Sequence, residues 1–388
     1  MRKERAPARL RAESLGRYFS SAMTLSTASR VSARTPGSLF ITRETVLMET
    51  FAAAATSVMV AAEPEARDEA MGRILRTDDN ADGGGRAGRR CGAGGPSAAA
   101  TIGAMDDDLT LAPTDAVEPA ALHAAFTRAF SDYLIGPFAL TPAQWPLFLA
   151  KQGVSLPLGR AALRGGEVIA FGFVAPRSPD GWRLSAMGAV PEARGSGAAP
   201  RLLDDLASRA TASGVRRLEL EVFAQNERAR RLYEGRGFVA RHALHGWTRR
   251  ASAGADVEDP AADEVDLDAA FAWLDETASS IDELPMQVLP ATLRAQRDAL
   301  SAWRHGGAQL VFAAVADASA RVVVWSLVDR NPAQRDAQVL VAALEARHPG
   351  RLLKVPALQR ADVGGEALAR AGFVREPLHQ LLMRRELA

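Results

Sequence analysis

Cysteine is almost missing from this chain: Cys91 is the only one in 388 residues. A single thiol excludes an intrachain disulfide and a cysteine-ligated metal cluster, and it agrees with a reducing, cytoplasmic setting. Lysine is nearly as scarce, with only Lys3, Lys151 and Lys354 among 47 basic residues. So strong an arginine bias in an alanine-rich chain reads as a coding preference. A nucleic-acid partner is not expected, because the net charge is only +1 and no basic stripe is present. No long apolar run exists either. The most hydrophobic one, residues 51–62, is far shorter than the roughly 20 residues that span a bilayer, so no membrane segment is expected. His123, His242 and His245 are scattered without metal-ligand spacing, and no metal site is expected.

What is present is a globular composition, 47% hydrophobic and 24% charged, over a length that allows two domains. Residues 1–104 stand apart. They are rich in Ala, Gly, Ser, Thr and Arg, include the run GGGRAGRRCGAGG and show little apolar periodicity. They read as a disordered tail or an extension from an upstream start, although the eight Arg/Lys among the first 34 residues imitate a transit peptide.

From Leu109 the pattern becomes regular. A strand (109–112) precedes a helix with Leu122, Phe126, Phe130 and Tyr133 on one face and Asp115 as its cap, and a second helix is expected to begin near Thr141-Pro142. Strands follow at 160–164, 168–175 and 182–190. The stretch 182–238 then reads as strand, glycine turn, helix, strand, helix. In Arg194-Gly195-Ser196-Gly197-Ala198-Ala199 the small residues let backbone N–H groups turn inward and lead into a helix with apolar residues at Leu202, Leu203, Leu206 and Ala210. Free amides at the positive end of a helix suit a pyrophosphate, which needs many donors and tolerates no side chain between itself and the backbone. A Walker loop is excluded by the missing Gly-Lys-Ser/Thr ending, and a Rossmann turn by Pro200 where a third small residue would stand. With those endings absent, an ATP-dependent enzyme is disfavoured.

The pattern Arg/Gln-x-x-Gly-x-Gly/Ala is filled by Arg194, Gly197 and Ala199. It is preceded by Val190-Pro191-Glu192 and followed by Leu220-Glu221-Val222, Asn226 and Leu232-Tyr233-Glu234-x-x-Gly237-Phe238. This ordered series resembles the GNAT acyltransferase family over about residues 109–247. The resemblance implies an α/β fold, of the α+β kind, with a mixed central sheet flanked by helices, and acetyl-CoA as acyl donor. It further implies that Arg194 to Ala199 hold the pyrophosphate, that backbone at Met187, Gly188, Ala189 and Val190 meets the pantetheine, and that Asn226, Arg228 and Ala229 lie along the cofactor. Tyr233 would be the general acid for the departing sulfur. Glu221 is either a base or a strand glutamate satisfied by an arginine or by solvent. Asp132, Tyr133 and Phe138 sit where relatives place the acceptor, a small-molecule or peptide amine.

Residues 251–263 read as a polar linker between a first domain (105–250) and a smaller second one (264–388). In the second, helical spacing is expected over 267–274 and 293–303, strands at 310–315, 322–328 and 352–355, and a helix at 337–347. Leu368-Ala369-Arg370-Ala371-Gly372-Phe373-Val374 repeats the frame of Tyr233-Glu234-Gly235-Arg236-Gly237-Phe238-Val239, which suggests internal duplication. The chemistry is not repeated. Leu368 stands for Tyr233, Ala361 for Asn226, and 331–336 hold no glycine, so the copy reads as a degenerate GNAT-like domain that shapes the acceptor pocket or a homodimer contact. Two functions follow from the resemblance, an N-acetyltransferase and a non-catalytic acyl-CoA sensor or scaffold. Retention of Arg194, Gly197, Asn226 and Tyr233 in the first copy favours the enzyme.

Overall fold

The structure, a computed structural model, describes residues 108–138, 140–252, 261–314 and 321–388. The expectations for 1–104, including Cys91 and the apolar run at 51–62, lie outside the described residues. The first half runs β1 (Leu109–Pro113), α1 (Pro119–Ala129), α2 (Trp145–Lys151), β2 (Ser155–Arg164), β3 (Glu167–Ser178), β4 (Gly181–Ala189), α3 (Ala198–Ala212), β5 (Arg217–Phe223), α4 (Glu227–Glu234) and β6 (Val239–Arg250). The second half runs β7 (Asp263–Val265), α5 (Leu267–Ser280), α6 (Pro290–Leu293), β8 (Ser301–His305), β9 (Ala308–Ala314), β10 (Arg321–Asp329), α7 (Arg335–Arg347), β11 (Leu352–Arg360), α8 (Gly365–Arg370) and β12 (Val374–Glu386). The order strand, two helices, three strands, helix, strand, helix, strand thus occurs twice. Duplication, visible in the sequence only as a short echo, extends over the whole of both halves.

Two helix starts and one helix end differ from expectation. Asp115 lies in a separate 3-10 turn (Thr114–Ala116), and α1 begins at Pro119, which needs no amide partner there. Helix α2 begins at Trp145, because the Gln144 side chain accepts from both the N–H and the hydroxyl of Thr141 and holds 141–144 as its own turn. The helical spacing at 293–303 ends almost at once. Gln296 sits at φ −130°, a short 3-10 stretch follows α6, and Trp303 belongs to strand β8.

Among the described residues twelve strands form one sheet in the order β1-β2-β3-β4-β5-β12-β6-β11-β10-β9-β8-β7. Only β4/β5 and β10/β11 pair in parallel. At the centre the halves exchange their last strands. β12 pairs with β5, Leu381 facing Val222, while β6 pairs with β11, Trp247 facing Val355. Arg384 of β12 fastens the exchange through a buried bond to Glu219 of β5 (2.8 Å), a carboxylate that also takes Arg177 of β3 (2.5 Å). Breaking a buried pair typically costs about 3–5 kcal/mol, and less is expected here because Glu219 keeps Arg177 when Arg384 is removed.

Helices α1 and α2 cover one face of β3. Phe126, fully buried, lies within 5.8 Å of the rings of Phe130, Phe138, Trp145, Phe148 and Phe171. Cutting a ring so surrounded back to alanine costs about 3–5 kcal/mol, because the neighbours relax only partly into the space. This cluster fixes the loop after α1, which forms one wall of the cleft described next.

Candidate active site

β4 and β5 are hydrogen-bonded only from Gly181/Arg217 to Leu184/Leu220. Beyond that point they splay, although β4 continues to Ala189 and β5 to Phe223. On its other side β4 stays paired with β3 through Ala189. The β5-facing backbone of 185–189 is therefore left to line a gap.

The gap opens into a cleft of about 650 Å³ whose walls include Phe130, Asp132, Tyr133, Met187, Gly188, Ala189, Arg194, Gly195, Gly197, Ala198, Ala199, Asn226, Arg228, Ala229 and Tyr233. At its floor Gly195 and Gly197 have φ of 86° and 84°, a left-handed conformation that favours glycine. A Cβ built on either would meet nothing within 4 Å and would project into open space. Gly197 is the N-cap of α3, and the N–H groups of Gly195 and Gly197 have no backbone acceptor among the described residues. The next amides belong to the first helical turn, which has no intrahelical partner to offer. Ser196 departs from the sequence reading, since its N–H is bonded to Ala193 O (3.2 Å) and its hydroxyl accepts from Ala198 N (3.4 Å). The result is a short row of backbone donors, open to an anion and free of side chains. A pyrophosphate fits this cradle by shape and by charge.

Arg194 does not point freely into the cleft. Its guanidinium makes a two-pronged bond to Asp132 (2.5 and 2.6 Å), which draws the Asp132 carboxyl below its usual range. Asp132 is thereby a clamp between the α1 loop and the glycine turn, at the rim. Phe138, expected near the acceptor, is 4% exposed and packs against Phe126 and Phe148 in the core. Much of the α1 to α2 loop is exposed, and Phe138 is one of the few residues in it that turn inward, onto the α1 and α2 aromatics.

Tyr133, Asn226 and Tyr233 meet at the inner end. Asn226 caps α4 by accepting from Ala229 N (3.2 Å) and bonds the Tyr133 hydroxyl with its side chain. Tyr233 stacks edge-on against Phe238 at 5.9 Å. Burial pushes its hydroxyl up to about 12 and raises Tyr133 as well. Of three tyrosines in the sequence, two share this place.

Behind them a smaller cavity of about 80 Å³ reaches deeper into the splay, lined by Gln152, Arg183, Ser185, Glu221, Gln287, Leu358 and Gln380 along with Tyr133, Asn226 and Tyr233. Glu221 is paired with Arg183 at 2.7 Å, both side chains almost wholly buried, and accepts from Gln287 Nε2 at 3.1 Å. Gln152, Arg183, Gln287 and Gln380 were missed in the sequence. Gln287 and Gln380 come from the second half, and nothing in their local spacing marks them.

The second half has lost both openings. Gln334 occupies the position of Gly197, the N-cap of α7, in the same left-handed region at φ 54°. Its side chain bonds Ala361 O and Ala367 N. The carboxylate of Asp329 accepts from Asn331 N and Ala337 N, filling the helix end with the chain's own anion. Gln359 donates across to Leu327 O of β10 and closes the splay (3.1 Å). Among the described residues no group of acidic, histidine or cysteine side chains could hold a metal, and no helix is long and apolar enough to cross a membrane.

Comparison with known proteins supports the same half. Residues 120–238 match the acetyltransferase (GNAT) family model. No curated protein matches the sequence. Among solved structures, a GCN5-related N-acetyltransferase from Sphaerobacter thermophilus is similar at 16% identity and a TM-score of 0.51, covering 73% of this chain and 97% of its own. One from Anabaena variabilis is similar at 12% identity and a TM-score of 0.51, covering 72% of this chain and 73% of its own. At these identities the likeness speaks for the fold, which both halves share. Residues 120–238, in the half that carries the open cleft, are therefore similar to the acetyltransferase (GNAT) family.

Proposed function

We propose that the protein is an N-acetyltransferase that moves an acyl group, acetyl foremost, from acyl-CoA to a primary amine of a small molecule or peptide in the cytoplasm. The observation that carries this is the coincidence of the side-chain-free cradle with the splayed strands in one half only. Amides of Gly195, Gly197 and Ala199 would take the pyrophosphate, and the β4 backbone at 187–190 the pantetheine, with Arg228 and Ala229 along the same wall. Bound acetyl-CoA supplies a thioester, an acyl group already activated for attack by an amine.

The chain's own residues do the rest. Tyr233, held protonated by burial, gives its hydroxyl proton to the sulfur as the carbon–sulfur bond breaks. Glu221 Oε1, buried and without a hydrogen-bond partner among the described residues, takes the proton that the nitrogen sheds as the carbon–nitrogen bond forms. Arg183 and Gln287 hold the other oxygen, which fixes the direction of Oε1. A sensor or scaffold that only bound acyl-CoA would have no need of this inner cavity with unmet polar atoms. An acceptor screen with acetyl-CoA, read as free thiol release, tests the reading. Binding of acetyl-CoA without turnover of any amine would favour the sensor.

A further inference from the structure

Three buried side-chain atoms that find no partner among the described residues line the inner cavity: Gln152 Nε2, Glu221 Oε1 and Gln287 Oε1. Their side chains are deeply buried, Gln152 at 1% and Gln287 at 6% exposure, and Glu221 at 3%. A buried polar atom without a partner costs about 1–3 kcal/mol, so three around one small space point to a ligand that meets them.

The identity of each atom is fixed by its charged neighbour. Gln287 turns its N–H toward the Glu221 carboxylate (3.1 Å), which leaves its oxygen toward the cavity. Gln152 turns its oxygen toward the Arg183 guanidinium (3.4 Å), which leaves its NH2 there. Reversing either amide would set like against like. Through these three atoms the cavity presents two acceptors and one donor, besides the Tyr233 hydroxyl that the acyltransferase reading assigns to the sulfur, and the one formal negative charge in it is already matched by Arg183. An NH2 group answers the two acceptors, and an oxygen answers the donor. The space is small. A cavity of about 150 Å³ holds benzene, so about 80 Å³ admits only about three or four non-hydrogen atoms.

We infer that this cavity is the acceptor's head-group site and that it selects a compact N–C–C–O unit: a primary amine with a hydroxyl or carbonyl oxygen on the adjacent carbon, as in a 1,2-amino alcohol or an α-amino amide. Glu221 and Gln287 take the amine N–H groups, and Gln152 reads the oxygen. The inference rests on the acyltransferase reading. It also gives the second half a task, because Gln287 lies between its α5 and α6 and reaches back across the sheet to complete the first half's site.

The test is steady-state kinetics on the full chain with acetyl-CoA and acceptors matched in size: 2-aminoethanol against n-propylamine, four non-hydrogen atoms each, and glycinamide against n-butylamine, five each. A site built to hydrogen-bond an oxygen rejects the analogue lacking it strongly, because the buried donor is then left unpaired. At least a 10²-fold higher kcat/KM is expected for the two oxygen-bearing amines. Gln152→Met, close in shape and without the donor, should shrink that ratio to below about 10-fold while acetyl-CoA affinity by calorimetry stays within about twofold. Should Gln152→Met fail to fold, the wild-type ratio decides alone. If acetyl-CoA binds and amines are turned over with no preference for the oxygen, the head-group inference is wrong and the acyltransferase reading stands. If acetyl-CoA does not bind at all, both fall.

Discussion

Replacing Tyr233 by phenylalanine separates chemistry from packing. The ring is buried against Phe238, and that contact survives the change. Among the described residues the hydroxyl has no hydrogen-bond partner, so its removal leaves no other buried group unsatisfied, and the melting temperature should hardly move. What is lost is a proton at the inner end of the cleft. With the hydroxyl pushed up to about 12, only about one molecule in 10⁴ is deprotonated at pH 8, so the acid is loaded throughout the working range. One positioned acid is worth about 10²-fold at the lower bound, equivalent to about 2.7 kcal/mol in the barrier, and the lower bound suits a thiolate, which leaves readily. Tyr233→Phe should therefore lower kcat by about 10²-fold with acetyl-CoA affinity within twofold of wild type. Wild-type kcat should show no fall assignable to loss of this acid up to about pH 10. Tyr133→Phe, whose hydroxyl is already engaged by Asn226, should cost less. If Tyr233→Phe instead weakens acetyl-CoA binding tenfold and leaves turnover intact, Tyr233 is a packing residue and the assignment fails.

Gly197→Asp would place a Cβ and a carboxylate in the anion space at a left-handed φ of 84°, and acetyl-CoA affinity should drop by more than about 10²-fold while circular dichroism retains the native signal. Calorimetry should give one CoA per chain, since Asp329 and Gln334 fill the second helix end; a stoichiometry of two would contradict that reading. Removing residues 374–388 strips β12 from β5, and the truncated chain should elute as aggregate on gel filtration, with a soluble monomer as the refuting result. His245 is held down to about 4 by burial and by Arg375 and His379. Its folded value lies below the unfolded one, so its contribution is present above about pH 6.5 and is lost as pH falls toward 4. Thermal melts should show that acid slope, and His245→Asn should flatten it.

The first half was largely legible because its signals are local. The glycine turn, the apolar spacing of α3 and the strand boundaries around 182–190 are properties of neighbouring residues, and Gly195, Gly197, Asn226 and Tyr233 do meet in one cleft. What could not be read depends on partners remote in sequence. Phe138 has the same alternatives open to it in sequence as Tyr133, and only the packing of Phe126 and Phe148 sends it to the core. Glu221 was visible as a strand glutamate, but Arg183, Gln152 and Gln287, which define its surroundings, are brought to it by three separate elements. The strands β6 and β12 carry the same alternating pattern whether each pairs with its own half or with the other's. Pattern specifies which face is buried, and register and partner are decided by which neighbour best covers that face.

Since a chain is made from its N-terminus, the crossing of β6 and β12 also sets a schedule. When β5 leaves the ribosome, one of its two native neighbours, β12 (Val374–Glu386), is still to be translated. Until then β6 is a nearby strand of matching pattern, and docking it on β5 would complete an ordinary half while leaving β11 with β10 on one edge only. Native pairing then requires β6 to stay free, or to be released, during the synthesis of some 120 further residues, from Arg250 to the start of β12. Emergence of β12 is thus the event that closes the cleft wall at β5, and the cradle formed early is joined to its finished site only once that strand has been made.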